Sequence, residues 1–329
     1  MRTGRVVWST TLVLLLAGCT SPPQPLALAV LESAPAAAAV AAAHVESYEV
    51  QVDGETATGL IAIPTVTPTT LVVLVHPWGG TAELHRAGLQ ALADAGVLAV
   101  AMEFRGDQGA FKVEAGVQDT VAATLDLQAR HPTVDRTLLY GWSMGGEIVL
   151  LAVARAPAGT YDYVFEGAGV TDLTSLWVVF VAARPAIEHE TGGTPFQVPD
   201  AYMQRSPIEH VDDLEDKGVA RYFIIHGVGD TPVPVEQAER LYSRMADAGL
   251  PVSYYLVTMD KDAWVCTPAV ILCAPTPPVG VANHEAGGLR LMQPFLDHRI
   301  DRLPDPPADP VRGTYDGNAG TYEPSDVGT

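Results

Sequence analysis

Lysine, cysteine and nucleotide-binding motifs are what this chain has least of. Lysine occurs only at Lys112, Lys217 and Lys261, so the 19 basic residues are nearly all arginine, against 39 acidic ones, and the formal charge is −20. No basic stripe forms, so nucleic acid is not an expected partner. An acidic surface favours solubility and repels polyanions. A saline habitat and a GC-rich genome account for this bias equally well. Neither G-x-G-x-x-G nor a P-loop occurs, so no nucleotide cofactor is implied, and no metal is expected either. The three cysteines are Cys19, Cys266 and Cys273. The apolar stretch from Val6 to Gly18 is interrupted by Ser9, Thr10 and Thr11. It falls short of the roughly 20 residues a membrane-spanning helix needs.

What is present begins with a targeting signal. Arg2 and Arg5 precede that apolar stretch, which ends Leu16-Ala17-Gly18-Cys19. The pattern resembles a bacterial lipobox. The resemblance implies a signal peptide over 1–18, cleavage before Cys19 and acylation of that cysteine. The protein would then sit outside the cytoplasm, anchored to the membrane by its N-terminal lipid. Residues 19–43 are rich in Pro and Ala and read as a tether. With Cys19 acylated, Cys266 and Cys273 form an even pair in an oxidising compartment, and a disulfide is expected; two buried thiols are the alternative.

The region 44–303 reads as one domain with 48% hydrophobic residues in the chain to draw on. Tyr48–Val52 alternates as a half-buried strand, and Asp53-Gly54 marks a hairpin turn into Ala57–Ile63. Leu71–Val75 is continuous and β-branched, as in a strand covered on both faces. A strand–helix rhythm follows, with strands at Val97–Ala101, Thr137–Tyr140, Tyr161–Phe165, Arg221–Ile225 and, last, Val252–Val257. Helices are expected at 83–95, 116–130, 147–155, 236–248 and 288–300. This predicts an α/β fold with a doubly wound, mainly parallel sheet. Residues 171–210 break the rhythm and are a candidate cap. Residues 260–283 form a long Pro-rich loop of a length usually tied to function. The Pro-, Gly- and Asp-rich tail, 304–329, is expected to be disordered.

Gly141-Trp142-Ser143-Met144-Gly145 fits G-x-S-x-G, the sharp strand-to-helix turn that exposes a nucleophilic serine. The setting is right, because Leu138–Tyr140 precedes it and Glu147–Leu151 follows. The alternative is a serine in an ordinary tight turn. The chain from about Tyr48 to Ile300 resembles an α/β hydrolase. Its elbow resembles that of cutinase-like and polyester esterases. Arg205-Ser206-Pro207-Ile208, with Ile224-Ile225-His226-Gly227 and Asp230, resembles the prolyl oligopeptidase catalytic domain.

The resemblance implies a triad in the order Ser, Asp, His. Asp230 is the expected acid, with Asp172 as its rival and a helix N-cap as the bland alternative. His284 is the expected base, in an unusually distant position after the last strand. Met144, directly after the nucleophile, and Trp78 in His76-Pro77-Trp78-Gly79-Gly80 are the expected oxyanion-hole donors; Pro77 has no N–H to offer. His76 and His226 are expected to be structural hydrogen-bonding residues. Glu188-His189-Glu190 is expected in a solvated loop rather than on a metal.

The favoured reading is a cofactor-free esterase acting through an acyl-enzyme. A peptidase of the prolyl oligopeptidase type is the runner-up, because the chain leaves no room for a gating domain. A non-catalytic surface lipoprotein is the remote third. The substrate is a small ester or a peptide.

Overall fold

Asp53 and Gly54 both take positive φ, 51° and 86°, the conformation a two-residue hairpin requires. They join β1 (His44–Val52) to β2 (Glu55–Ile63), with Val52 opposite Glu55. The computed structural model describes residues 42–106, 111–227, 230, 232–257, 264–265, 274–275, 311–316 and 321–324.

The apolar run after the hairpin forms β3 (Thr70–Val75), every residue of which is buried. Leu71, Val73 and Val75 face one core and Val72 and Leu74 the other, as the period of two dictates. Three units follow: α1 (Arg86–Asp94) with β4 (Leu98–Glu103), α2 (Val113–Arg130) with β5 (Arg136–Trp142), and α3 (Met144–Arg155) with β6 (Tyr163–Gly167). Next come β7 (Arg221–Gly227), α7 (Glu236–Asp247) and β8 (Val252–Val257).

The sheet order is β1-β2-β4-β3-β5-β6-β7-β8, continued by β11 (Val311–Asp316) and β12 (Thr321–Pro324). The pairs from β4 through β11 are parallel. The doubly wound, mainly parallel sheet is therefore as expected.

Two expectations need correction. The tail 304–329 is not without structure: 311–316 pairs in parallel with β8, with Thr314 beside Leu256, and 321–324 folds back on it. Nor is β8 the last strand. Low hydrophobicity in a tail says little about an edge strand, whose gain is backbone hydrogen bonds rather than buried side chains.

The candidate cap is helical, with α4 (Leu173–Val179), α5 (Arg184–Thr191) and α6 (Pro199–Met203). Glu188-His189-Glu190 lies on α5 rather than in a loop. Glu190 makes an ion pair with Arg205 at 3.1 Å, and Trp177 donates its ring N–H to Glu188 at 2.8 Å.

Candidate active site

The chain leaves β3 through α1 to reach β4 on one side, and then comes back to place β5 on the other. Such a reversal opens a crevice outside the carboxyl ends of the two strands. Val75 is opposite Gly141 there, so the loop after β3 and the turn after β5 are neighbours.

The turn after β5 holds Ser143 at the N-cap of α3, with φ 57° and ψ −127°. Non-glycine residues persist in such a conformation only when their surroundings over-determine it. Between Thr137 and Val153, Ser143 alone is not buried. A helix thus starts beneath a serine that the sheet pushes to the surface. Met144 and Gly145 open α3 ahead of its first backbone bond, which Gly146 N–H makes to Ser143 O, and the helix dipole favours negative charge there.

The loop after β3 lies against that first turn. A Cβ on Gly145 would overlap the Val75 carbonyl oxygen and lie 3.0 Å from that of His76. Gly80 N–H closes the Pro77–Gly80 turn by donating to Pro77 O at 2.9 Å. Glu103 at the end of β4 accepts from Ala82 N–H at 2.7 Å. His76 stacks on Phe104 with centroids 4.1 Å apart, and its Nδ1 lies 2.9 Å from Pro77 O. Burial pushes the His76 pKa down to about 4, so the ring is neutral and structural, as expected. Trp78 packs between Phe111, at 6.0 Å, and Phe180 after α4, at 6.3 Å. The candidate cap therefore reaches the loop that carries Trp78.

Asp230 follows β7. Its Oδ1 accepts from Val233 N–H at 2.9 Å, and its Oδ2 lies 3.7 Å from His226 Nε2. His226 Nε2 is 2.8 Å from Val233 O, which gives that ring the structural role expected of it. Burial raises the Asp230 pKa to about 7, with the Val233 N–H pulling the other way.

The rival Asp172 is engaged elsewhere. It caps α4, accepting from Ser175 N–H at 2.9 Å, and pairs with Arg240 at 3.0 Å. Asp172 is a helix N-cap, and Asp230 makes the same i→i+3 bond, to Val233, ahead of α7. Two parallel strand spacings, about 10 Å, separate the ends of β5 and β7, a gap that an imidazole between Ser143 and Asp230 would bridge. His284, Cys19, Cys266 and Cys273 lie outside the described residues.

Besides Asp119 on α2, two buried acids nearer Ser143 escaped the sequence reading. Glu147 on α3 and Glu166 on β6 are both fully enclosed. Burial raises the Glu147 pKa well above the usual range, with Glu190 adding to the effect and Arg205 opposing it. The signal was an acid inside an apolar segment: Glu147 ahead of Ile148–Leu151, and Glu166 after Tyr163-Val164-Phe165.

The comparisons with known proteins agree with this geometry. The prolyl oligopeptidase family model matches residues 84–271, more than half of the chain. The uncharacterized peptidase YtmA of Bacillus subtilis (strain 168) is 30% identical over 171 residues, covering 50% of this chain and 64% of that protein. The chain thus spans just under two thirds of that relative's length. The acylaminoacyl peptidase of Pyrococcus horikoshii superposes with a TM-score of 0.61 at 15% identity, over 81% of this chain and 43% of that one. A puromycin-hydrolyzing peptidase of Mycobacterium tuberculosis gives 0.55 at 20%, over 67% and 36%. At such identities the two structures speak for the fold alone, whereas the family match spans Ser143 and Asp230 together: the chain belongs to the prolyl oligopeptidase family of serine hydrolases.

Proposed function

We propose that the protein hydrolyses peptide or related amide bonds through an acyl-enzyme, with Ser143 as nucleophile, His284 as base and Asp230 as acid. The observation that carries this reading is Ser143 itself, strained and partly exposed at the N-terminus of α3 within an otherwise buried stretch. His284 takes the Ser143 proton as the hydroxyl attacks the carbonyl carbon. Met144 and Trp78 N–H groups receive the developing oxyanion. His284 then protonates the departing amine, and water releases the acyl group by the same steps in reverse. Asp230 holds the imidazole and balances its charge.

Family membership moves the preferred substrate from an ester, favoured by the elbow motif, to a peptide. Trp78 and Phe180 favour an apolar side chain beside the scissile bond. The test is a panel of peptide p-nitroanilides against p-nitrophenyl esters, run with fluorophosphonate labelling and Ser143→Ala. Labelling at Ser143 with higher kcat/KM on anilides supports the reading. Labelling with ester turnover alone returns the substrate to an ester, and absence of labelling removes the catalytic assignment.

The N-terminal pattern supports a second element of the proposal, attachment to a membrane through acylated Cys19. Mass spectrometry of the exported protein tests it: an unmodified Cys19 removes the anchor, and Cys19→Ala is expected to release an enzyme of unchanged specific activity.

A further inference from the structure

Ser143 keeps its disfavoured backbone conformation because a neighbouring loop holds it. Its N–H donates to Gly167 O at 2.8 Å, and its carbonyl accepts from Gly146 N–H at 2.9 Å and from Val170 N–H at 3.4 Å. Gly167 ends β6 and Val170 lies in the turn that follows it. That turn is itself strained, with Ala168 at φ 44°. Its near side is tied to β7, where Ala168 N–H donates to Ile225 O at 2.7 Å.

Its far side is tied by Glu166. Gly169 N–H donates to Glu166 Oε1, and Oε2 is buried with no hydrogen-bond partner among the described residues. The carboxyl fills a slot that two absent side chains create. A Cβ on Gly146 would lie 3.0 Å from Glu166 Oε1 and 2.7 Å from Gly169 Cα, and one on Gly169 would overlap the carboxyl. Burying an acid in a sheet is costly, and an apolar residue would fill the volume without bonding Gly169.

We propose that Glu166 is a positioning residue for the nucleophile: its carboxyl clamps the Gly167–Val170 turn, and the turn holds Ser143 in its attacking conformation. This rests on the reading of Ser143 as nucleophile. Among the described residues no charged side chain faces Glu166 from the elements around it. β5 presents Gly141 opposite it, β7 presents Ile224, and α3 presents Gly146. The acid on α3, Glu147, interacts instead with Glu190 and Arg205.

Burial raises the Glu166 pKa to about 8, with the Gly169 N–H lowering it. The carboxyl is neutral below that pH. Ionised, it adds negative charge beneath the first turn of α3, the turn that must stabilise an oxyanion. Activity therefore falls as pH rises through about 8.

The experiment compares wild type, Glu166→Gln and Glu166→Leu by the fluorophosphonate labelling rate at Ser143, by kcat and KM from pH 6 to 10, and by thermal unfolding. Gln keeps the acceptor and the shape. Glu166→Gln is expected to stay within about threefold of wild type at pH 7 and to lose the alkaline fall. Glu166→Leu is expected to lower kcat and labelling at least about tenfold with KM nearly unchanged, as for a group that orients rather than binds. Wild-type labelling by folded Glu166→Leu, or an alkaline fall retained in Glu166→Gln, overturns the proposal. If Glu166→Leu does not fold, the pH profile of Glu166→Gln decides. If wild type is not labelled at Ser143, the nucleophile reading fails and this one with it.

Discussion

The carbonyl oxygen of Val75 occupies the space that a side chain on Gly145 would enter. The second glycine of the elbow is therefore a spacer between α3 and the loop after β3. Gly145→Ala forces those segments apart, an overpacking that costs typically about 1–3 kcal/mol. It also displaces Trp78 relative to Met144. Turnover is expected to fall by roughly 100-fold, as when one oxyanion donor is lost, with a smaller change in KM. Wild-type kcat in this variant would uncouple the two segments.

Ser143 stores strain that glycine does not feel. At φ 57° and ψ −127°, a residue with a Cβ carries a cost of about 1–3 kcal/mol. Ser143→Gly is expected to be inactive and more stable than Ser143→Ala by about 1 kcal/mol, after the entropy of the added glycine is subtracted. Chemical denaturation of the two variants measures the difference. Equal midpoints would mean that the elbow is relaxed.

Asp230 and Asp172 should separate cleanly. Asp230→Asn is expected to lower kcat/KM by about 10⁴-fold, as for loss of a triad carboxylate, and Asp172→Asn by far less. The pH dependence follows from the raised pKa. Asp230 is protonated below about 7, and the triad needs the carboxylate, so activity falls as pH drops through that region. The stability effect has the opposite sign. A carboxyl whose folded pKa is raised contributes stability below its unfolded value that is lost as pH rises through the folded one. Asp230→Asn should therefore melt higher than wild type at pH 8 and gain nothing at pH 4. A flat activity profile down to pH 5, or the reverse ranking of the two variants, would remove Asp230 from the triad.

The fold was legible wherever periodicity and turn chemistry agreed. Leu71–Val75 announced a doubly covered strand, Asp53-Gly54 a hairpin, and the glycines about Ser143 a sharp turn. What stayed hidden depends on pairing across the chain. Val311–Asp316 gains its place from backbone bonds to β8, and no local signal marks such a partner. Glu166 follows an apolar run in the sequence, but only the assembled sheet shows that it is enclosed. Asp172 and Asp230 both follow strand ends, and their partners, Ser175 and Arg240 for one and Val233 for the other, become visible only in the fold. Substrate preference stayed open because the elbow serves many chemistries, and it took the family match to tilt the choice toward peptides.

Arg105 and Asp119 hold the segment between β4 and α2. Asp119 is fully buried and accepts from Arg105 Nε at 2.6 Å and from its backbone N–H at 3.0 Å. Arg105 also donates to Glu55 at 2.9 Å and Gln118 at 2.8 Å. Breaking a buried pair from one side costs about 3–5 kcal/mol. Asp119→Ala is expected to lose that much in denaturant unfolding. A loss under about 1 kcal/mol would show that Glu55 and Gln118 suffice for Arg105.

The last expectation concerns the two cysteines beyond β8. Trp264–Val265 forms β9 and Ala274–Pro275 forms β10, antiparallel, with Val265 opposite Ala274. Cys266 and Cys273 lie outside the described residues, and a bridge between them is proposed from the even pair that remains once Cys19 is acylated. Closing so short a loop contributes about 2–3 kcal/mol in the chain-entropy model, a local effect in a chain of 329 residues. Its importance lies in position, since the segment leads from β8 to His284, and misplacing a reacting group by about 1 Å costs on the order of 100-fold in rate. Cys266→Ser with Cys273→Ser is therefore expected to lower kcat more than it lowers the melting temperature. Peptide mapping of exported, alkylated protein supplies the direct check. Free thiols at both positions would defeat the bridge, and full activity in the double variant would strip it of any part in placing His284.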